Sequence, residues 1–283
     1  MEEKKKKLKV GGCVVLYNPE IAVVNNIESY RDKLDLLVVV DNSDRPSSFV
    51  LDHLKEINNV QLISMHGNKG IAKALNVGCS YLIAHGFDIC LTMDSDSIFP
   101  KKYYNKIVKI IFPLINENYG LIGLNYNYFP KKKKNTIILT KYWLTSGNFV
   151  NLKAYDAVGG FKNDLFIDYV DIEFDHSLIQ KGYKIAYLHD YSLKHKIGNP
   201  ISKKILGRHV TIMNHPPIRY YYRYRNSRYL YKFDKKYYRK KYFGEIIFHI
   251  PEMLLFEKNR RQKLRMIFKG WEDAKCGKLG KLS

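Results

Sequence analysis

The sequence predicts an α/β fold, a mostly parallel sheet flanked by helices, followed by a basic helical extension, and three observations carry this expectation. Short β-branched runs alternate with helical patterns through the first third of the chain, which argues for βαβ units. Each of these apolar runs ends in polar residues, as expected where a ligand crevice lies beyond the carboxyl ends of the strands. The charge is also split: residues 201–283 hold 22 Lys and Arg against 6 Asp and Glu, a net of +16 out of +21 for the whole chain.

In order, Val10–Leu16 reads as the first strand and Tyr17-Asn18-Pro19 as its turn, with a helix around Ile21–Leu34. The strand Leu36–Val40 precedes Asp41-Asn42-Ser43-Asp44, and a helix spans about Ser48–Ile57. Val60–Ser64 then leads into His66-Gly67-Asn68-Lys69-Gly70, a helix covers Ile71–His85, and Ile89–Met93 ends at Asp94-Ser95-Asp96-Ser97. Lys184–Leu188 is a later strand. Dinucleotide and P-loop glycine fingerprints are absent after the strands.

Composition narrows the class. With 46% hydrophobic and 27% charged residues, the chain is neither disordered nor polytopic. Cys13, Cys79, Cys90 and Cys276 form no Cys-x-x-Cys pair, so neither a zinc site nor a disulfide framework is indicated and a reducing compartment fits. Lys4 to Lys7 precede an apolar run too short for a signal peptide, and no run reaches the ~18 apolar residues of a spanning helix. The expected place is the cytoplasm, peripheral on the inner face of the membrane. A net charge of +21 calls for a polyanionic partner or surface.

Asp94-Ser95-Asp96 can converge two carboxylates on one hard cation, Mn²⁺ or Mg²⁺, which in turn binds phosphates; Asp and Ser also favour plain turns. Gly70 can open a tight turn before a helix whose free N–H groups and Lys73 face an anion, or the same helix simply packs through Ala72, Leu75 and Cys79. Together, Val14-Val15-Leu16-Tyr17-Asn18-Pro19, Val38-Val39-Val40-Asp41-Asn42-Ser43, Asn68 to Gly78 and Met93-Asp94-Ser95-Asp96 occur in the order seen in family-2 glycosyltransferases of the Rossmann-like GT-A fold. The resemblance continues through Thr145-Ser146-Gly147-Asn148, Val158-Gly159-Gly160-Phe161 and Leu165 to Phe174, and is similar to the rhamnosyltransferase branch over about residues 8–230.

The resemblance implies an inverting, metal-dependent transfer from a nucleoside-diphosphate sugar, dTDP-rhamnose or a UDP-sugar, to a glycan or glycolipid acceptor. It implies a catalytic domain over 1–200, with a donor half at about 8–97 and an acceptor half at about 98–200. Donor contacts would come from Tyr17, Asn18, Asp41, Asn68, Gly70, Lys73, Asp94, Ser95 and Asp96, and the metal from Asp94, Asp96 and His195. A transfer of this kind needs a base for the acceptor hydroxyl. Asp168, Asp171, Glu173 and Asp175 are the candidates, and the family's base falls on Asp171, although Val170 stands where the family usually shows Glu. Helix capping by Asp168 and Asp171 is the other reading of the same residues. Trp143, Ser146, Gly147, Asn148 and Asp168 are assigned to the acceptor, an aromatic face suiting a sugar.

The tail interleaves nine tyrosines with Arg and Lys between Arg219 and Tyr242, a pattern that could stack bases. No nucleic-acid-binding signature accompanies it, so no nucleic acid is expected as a partner. Phe243, Ile246, Leu254, Phe268 and Trp271 recur at helical spacing among the cations, with a break at Pro251, which reads as shallow insertion into an anionic membrane surface or as ordinary helix packing. A sugar nucleotidylyltransferase is the alternative enzyme, but Tyr17-Asn18-Pro19-Glu20 is not the Gly-rich basic loop that such enzymes carry.

Overall fold

The computed structural model describes residues 8–126, 137–195, 201–205, 208–212 and 214–282. Lys4 to Lys7, considered above, lie outside them. The chain divides into two compact units, one of Met1–Lys162 with Asp171–Lys196 and the other of Asn163–Val170 with Ile197–Ser283.

In the first unit, β1 (Val10–Leu16), α1 (Ala22–Glu28), β2 (Leu36–Asp41), α2 (Ser48–Lys55), β3 (Val60–Ser64), α3 (Ile71–Ala84) and β4 (Ile89–Asp94) form the expected βαβ series. The unit continues through β5 (Ser97–Ile98), α4 (Tyr104–Asn116), β6 (Tyr119–Tyr126), β7 (Ile137–Thr140), β8 (Asn148–Asn151), α5 (Leu152–Val158), α6 (Val170–Gln180) and β9 (Lys184–His195). The sheet order is β3-β2-β1-β4-β8-β6-β9-β5, with β7 beside β9. Strands β1, β2, β3, β4, β6 and β9 run one way, and β5, β7 and β8 run against them. Every residue of β1 and β6 is buried, as a sheet covered by helices on both faces requires.

The first helix is shorter than its periodicity predicts. It stops at Glu28 because Ser29 Oγ donates to Asn26 O (2.6 Å) and accepts from Phe99 N (2.9 Å); a 3₁₀ turn follows at Arg31–Lys33. Helix α3 lies so close to β1 that a Cβ added at Gly78 would sit 2.2 Å from Cys13 Sγ. A glycine there is what lets α3 set its N-terminus at the strand ends.

The second unit contains a two-stranded antiparallel sheet, β10 (Ile201–Ile205) and β11 (Arg208–Ile212), and helices α7 (Pro217–Phe233), α8 (Lys235–Gly244), α9 (Ile250–Phe256) and α10 (Arg260–Lys275). The boundary read from the sequence lies at 200, whereas the units part at Lys196 and the second also holds Asn163–Val170. Two fully buried side chains of α7 account for that segment. Arg225 donates to the carbonyls of Asp164, Leu165 and Gly280, and Asn226 to those of Leu165, Ile167 and Asp168.

Four of the six tyrosines of α7 are core, not display. Tyr220, Tyr221, Tyr222 and Tyr224 are buried, and Tyr220 and Tyr224 pack with Met253 and Ile267. Leu254 and Trp271, read from the sequence as inserting residues, pack against this cluster, whereas Phe243 and Phe268 are exposed. Several cations are also internal: Lys263 pairs with Glu257, Arg223 with Glu245 (2.7 Å) and Arg219 with Asp168 (2.6 Å). The break at Pro251 takes the form of a π turn at Glu245–His249, directly before the proline enters α9 at its first turn. Among the described residues no helix is long and apolar enough to cross a membrane.

Candidate active site

The loops after β1, β2 and β3 are stitched into one polar rim. Asn18 N donates to Ser43 Oγ (2.8 Å), Arg45 N to Asn18 Oδ1 (2.9 Å) and Tyr17 OH to Asp44 Oδ2 (3.3 Å). Asn42 links the next two loops, donating to Asn68 Oδ1 (3.2 Å) and accepting from Lys69 N (2.7 Å). Asn68 Oδ1 accepts from Gly70 N (3.0 Å), and Gly70, with φ of 90°, turns the chain into α3, leaving Lys73 exposed in its first helical turn. Asp41 is buried and its Oδ1 accepts from Ser43 N (3.2 Å), so it shapes this rim from within.

The acidic loop after β4 is fixed from three sides. Asn26 Nδ2 donates to Ser95 O (2.8 Å), Ser146 Oγ accepts from Asp94 N (3.0 Å), and Ser146 Oγ also donates to Ser97 Oγ (2.8 Å). Strand pairing places Ser97 opposite His195, and the His195 Nδ1 lies 2.8 Å from Ser97 Oγ and 3.3 Å from Asp96 Oδ1. Tyr126 meets the His195 ring edge-on at 5.7 Å and donates its hydroxyl to Ser146 O. A ligand atom each from Asp94, Asp96 and His195 lies within 4.8 Å of the others, so a chain separation of about a hundred residues closes into one site.

The electrostatics of these three groups favour a cation. Burial, and then the Asp96 carboxylate, push Asp94 up to about 6, with Asp171 contributing in the same direction. Burial opposes charge on His195, but its hydrogen bond to Asp96 and the two carboxylates raise it above the ordinary imidazole value. Two carboxylates and an imidazole crowded in this way are a donor set suited to Mn²⁺ or Mg²⁺.

Asp171 stands in the first turn of α6, where it packs with Thr92, Trp143, Thr145, Asn148 and Asp175 around a gap with no room for a water molecule. Its Oδ1 accepts from the N–H of the next residue, Ile172 (2.9 Å), one of the free donors of the first helical turn. Trp143 donates its backbone N–H to Asp175 Oδ2 (2.6 Å), and its ring stacks on Tyr187 at 3.9 Å, which takes up one of its faces.

Four residues assigned to the acceptor are placed differently. Ser146 and Asn148 are 1% exposed. Ser146 supports Asp94, and Asn148 Nδ2 donates to Leu144 O (2.7 Å), because both lie where β8 joins β4 in the sheet interior. Gly147, at φ of 75°, donates to Thr92 O (2.8 Å) and makes the same junction. Asp168 belongs to the second unit, where Arg219 grips it bidentately, Nε to Oδ2 (2.8 Å) and Nη2 to Oδ1 (2.6 Å). Sequence reasoning missed Asn26, Asn42 and Ser97 as site residues. Asn42 and Ser97 stand beside the motif aspartates, but Asn26 has no motif to mark it.

The model of glycosyl transferase family 2 matches residues 13–161. Over 235 residues, 76% of this chain and 77% of the relative, the sequence is 32% identical to dTDP-rhamnosyl transferase RfbF of Shigella flexneri. The fold is similar to that of GalNAc-T7 with UDP, GalNAc and Mn²⁺ (TM-score 0.62, 11% identity, 95% of this chain). It is also similar to Staphylococcus aureus TarS 1-349 in complex with UDP-GlcNAc (TM-score 0.53, 16% identity, 95% of this chain). The chain spans 56% of the GalNAc-T7 chain and 73% of the TarS chain, and at these identities the likeness is one of fold. The parallel βαβ half, the acidic loop at the end of β4 and the match to RfbF agree: the chain belongs to glycosyl transferase family 2, as a rhamnosyltransferase-like enzyme that uses a nucleotide sugar.

Proposed function

We propose that the protein transfers rhamnose from dTDP-rhamnose, with inversion, to a growing lipid-linked or surface polysaccharide on the cytoplasmic face of the membrane. The observation that carries the donor is the 32% identity to dTDP-rhamnosyl transferase RfbF over three quarters of both chains. Asp94, Asp96 and His195 would hold a divalent ion, which when bound offsets diphosphate charge. Around it, Tyr17, Asn18, Asp41, Asn68, Gly70, Lys73 and Ser95 form the donor side, Asp41 from within the rim and Lys73 as an exposed cation in the first turn of α3.

Asp171 takes the proton of the acceptor hydroxyl as that oxygen attacks the anomeric carbon, and the bond from that carbon to the diphosphate breaks on the opposite face, releasing dTDP. Its place beside Trp143, close enough to Asp94 for its charge to act there, supports this role. Ser146, Gly147 and Asn148 hold the junction of β4 and β8 behind Asp94. The +16 of residues 201–283 supports attachment to an anionic membrane surface.

A donor panel tests the reading. Purified enzyme with Mn²⁺ should hydrolyse dTDP-rhamnose slowly in the absence of acceptor and leave UDP-GlcNAc and GDP-sugars untouched. Turnover of a UDP-sugar with none of dTDP-rhamnose would overturn the donor assignment.

A further inference from the structure

We propose that α8 and the π turn after it form a docking site for the phosphate headgroup and upper acyl chain of an anionic phospholipid, a proposal that rests on the reading of the enzyme as membrane-attached. Helix α8 carries five Lys and Arg and no acid in ten residues. Lys236, Lys240, Phe243 and Ile247 recur at three- and four-residue intervals and so share one face, with Arg239 beside them. The π turn at Glu245–His249 widens the helical repeat there, which brings Phe248 onto the same face five residues after Phe243.

That face bounds a cleft of about 530 Å³ lined by Lys236, Arg239, Lys240, Phe243, Ile247 and Phe248, with Gly244 between them. Its cations lie at one end and its apolar side chains at the other, three residues apart at the nearest (Lys240 and Phe243) and twelve at the farthest (Lys236 and Phe248), or ~5–18 Å along a helix. Phe248 is 69% and Ile247 58% exposed, large apolar surfaces that no described residue of the second unit covers. None of the three cations makes an ion pair among the described residues. A phosphate joined to a hydrocarbon chain satisfies both ends at once, as at interfacial helices whose cations meet headgroups while their apolar face is buried.

Single-stranded RNA fits the same face poorly. Stacking successive bases needs a row of open aromatic rings; Phe248 is open, but Phe243 packs edge-on against Tyr231 and Tyr242, those two stack on each other at 4.6 Å, and Tyr238 is buried. With no helix able to span a bilayer among the described residues, a surface site of this kind is the means of attachment the second unit offers.

Co-sedimentation of the full chain tests the site, using vesicles of phosphatidylcholine alone and of equal parts phosphatidylcholine and phosphatidylglycerol. Gly244 has helical dihedrals (φ −59°), and an added Cβ meets nothing within 4 Å, so Gly244→Asp sets a carboxylate in the cleft without a clash. It should weaken binding to the anionic vesicles about fivefold or more, the scale set by one basic residue at a membrane. Gly244→Ala should bind as wild type, Ile247→Ser with Phe248→Ser should bind weakly, and donor hydrolysis in solution should stay unchanged in all three. Wild-type affinity in both Gly244→Asp and the double serine variant would move the attachment elsewhere on the chain and overturn the site alone. A wild-type enzyme that ignores anionic vesicles, or that leaves them for single-stranded RNA, would overturn the membrane reading with it.

Discussion

Asn226 is buried in the middle of α7, and its amide has two hydrogens serving three carbonyls, of Leu165 (2.9 Å), Ile167 (2.8 Å) and Asp168 (2.9 Å). The segment it holds is unusual: Phe166, Asp168 and Tyr169 all have φ between 63° and 66°, a region that non-glycine residues enter only when the surroundings impose it. In Asn226→Ala, Leu165 O keeps Arg225 Nη2 and Ile167 N as donors, so the loss falls on Ile167 O and Asp168 O. Both sites are part-buried, which puts each at the low end of the ~1–3 kcal/mol for an unsatisfied polar group, or about 2–3 kcal/mol together. Urea denaturation followed by circular dichroism should show that loss as a lower midpoint with an unchanged slope. Asn226→Asp keeps the shape and the acceptor for Arg225 Nε (2.9 Å) but removes both donors, so it separates donation from packing. Stability of the Ala variant within ~0.5 kcal/mol of wild type, the scatter of neutral surface changes, would refute the clamp. An Asp variant as stable as wild type would leave Asn226 a packing role only.

Chelation should abolish transfer and Mn²⁺ or Mg²⁺ should restore it, and Asp96→Asn should lose metal-dependent nucleotide binding measured by calorimetry; full activity of that variant in excess EDTA would remove the metal site. Asp171→Asn should keep donor affinity and lose at least ~10²-fold in turnover, the low end of general-base catalysis, whereas normal turnover would place the base elsewhere. Gly78→Ala drives a methyl into Cys13 Sγ and should cost about 1–3 kcal/mol by overpacking, with Cys13→Ala in the same chain recovering part of it. Failure of the second change to help would show that α3 yields without strain. Ser97→Ala removes the hydroxyl between His195 and Ser146 and should weaken Mn²⁺ binding about tenfold while leaving the fold intact, as loss of a supporting hydrogen bond does at metal sites.

By itself the sequence determined the elements of the donor half, where local patterning and burial agree. β1 and β3 have the bounds that their β-branched runs predict, and β2 and β4 run one residue further, into Asp41 and Asp94. It also determined which aspartates end those strands, since motif spacing is a local property of the chain. It could not show that His195 would meet Asp96, because their approach depends on β5 pairing with β9 across almost a hundred residues. Nor could composition separate a displayed tyrosine from a buried one: Tyr220, Tyr221, Tyr222 and Tyr224 have the polarity of a binding surface and form a core because α10 packs along α7 closely enough for Gly270 to face the Tyr221 carbonyl. The part of Arg225 and Asn226 has the same origin. Their donors have meaning only beside carbonyls some sixty residues earlier, and only the tertiary structure brings those carbonyls to them.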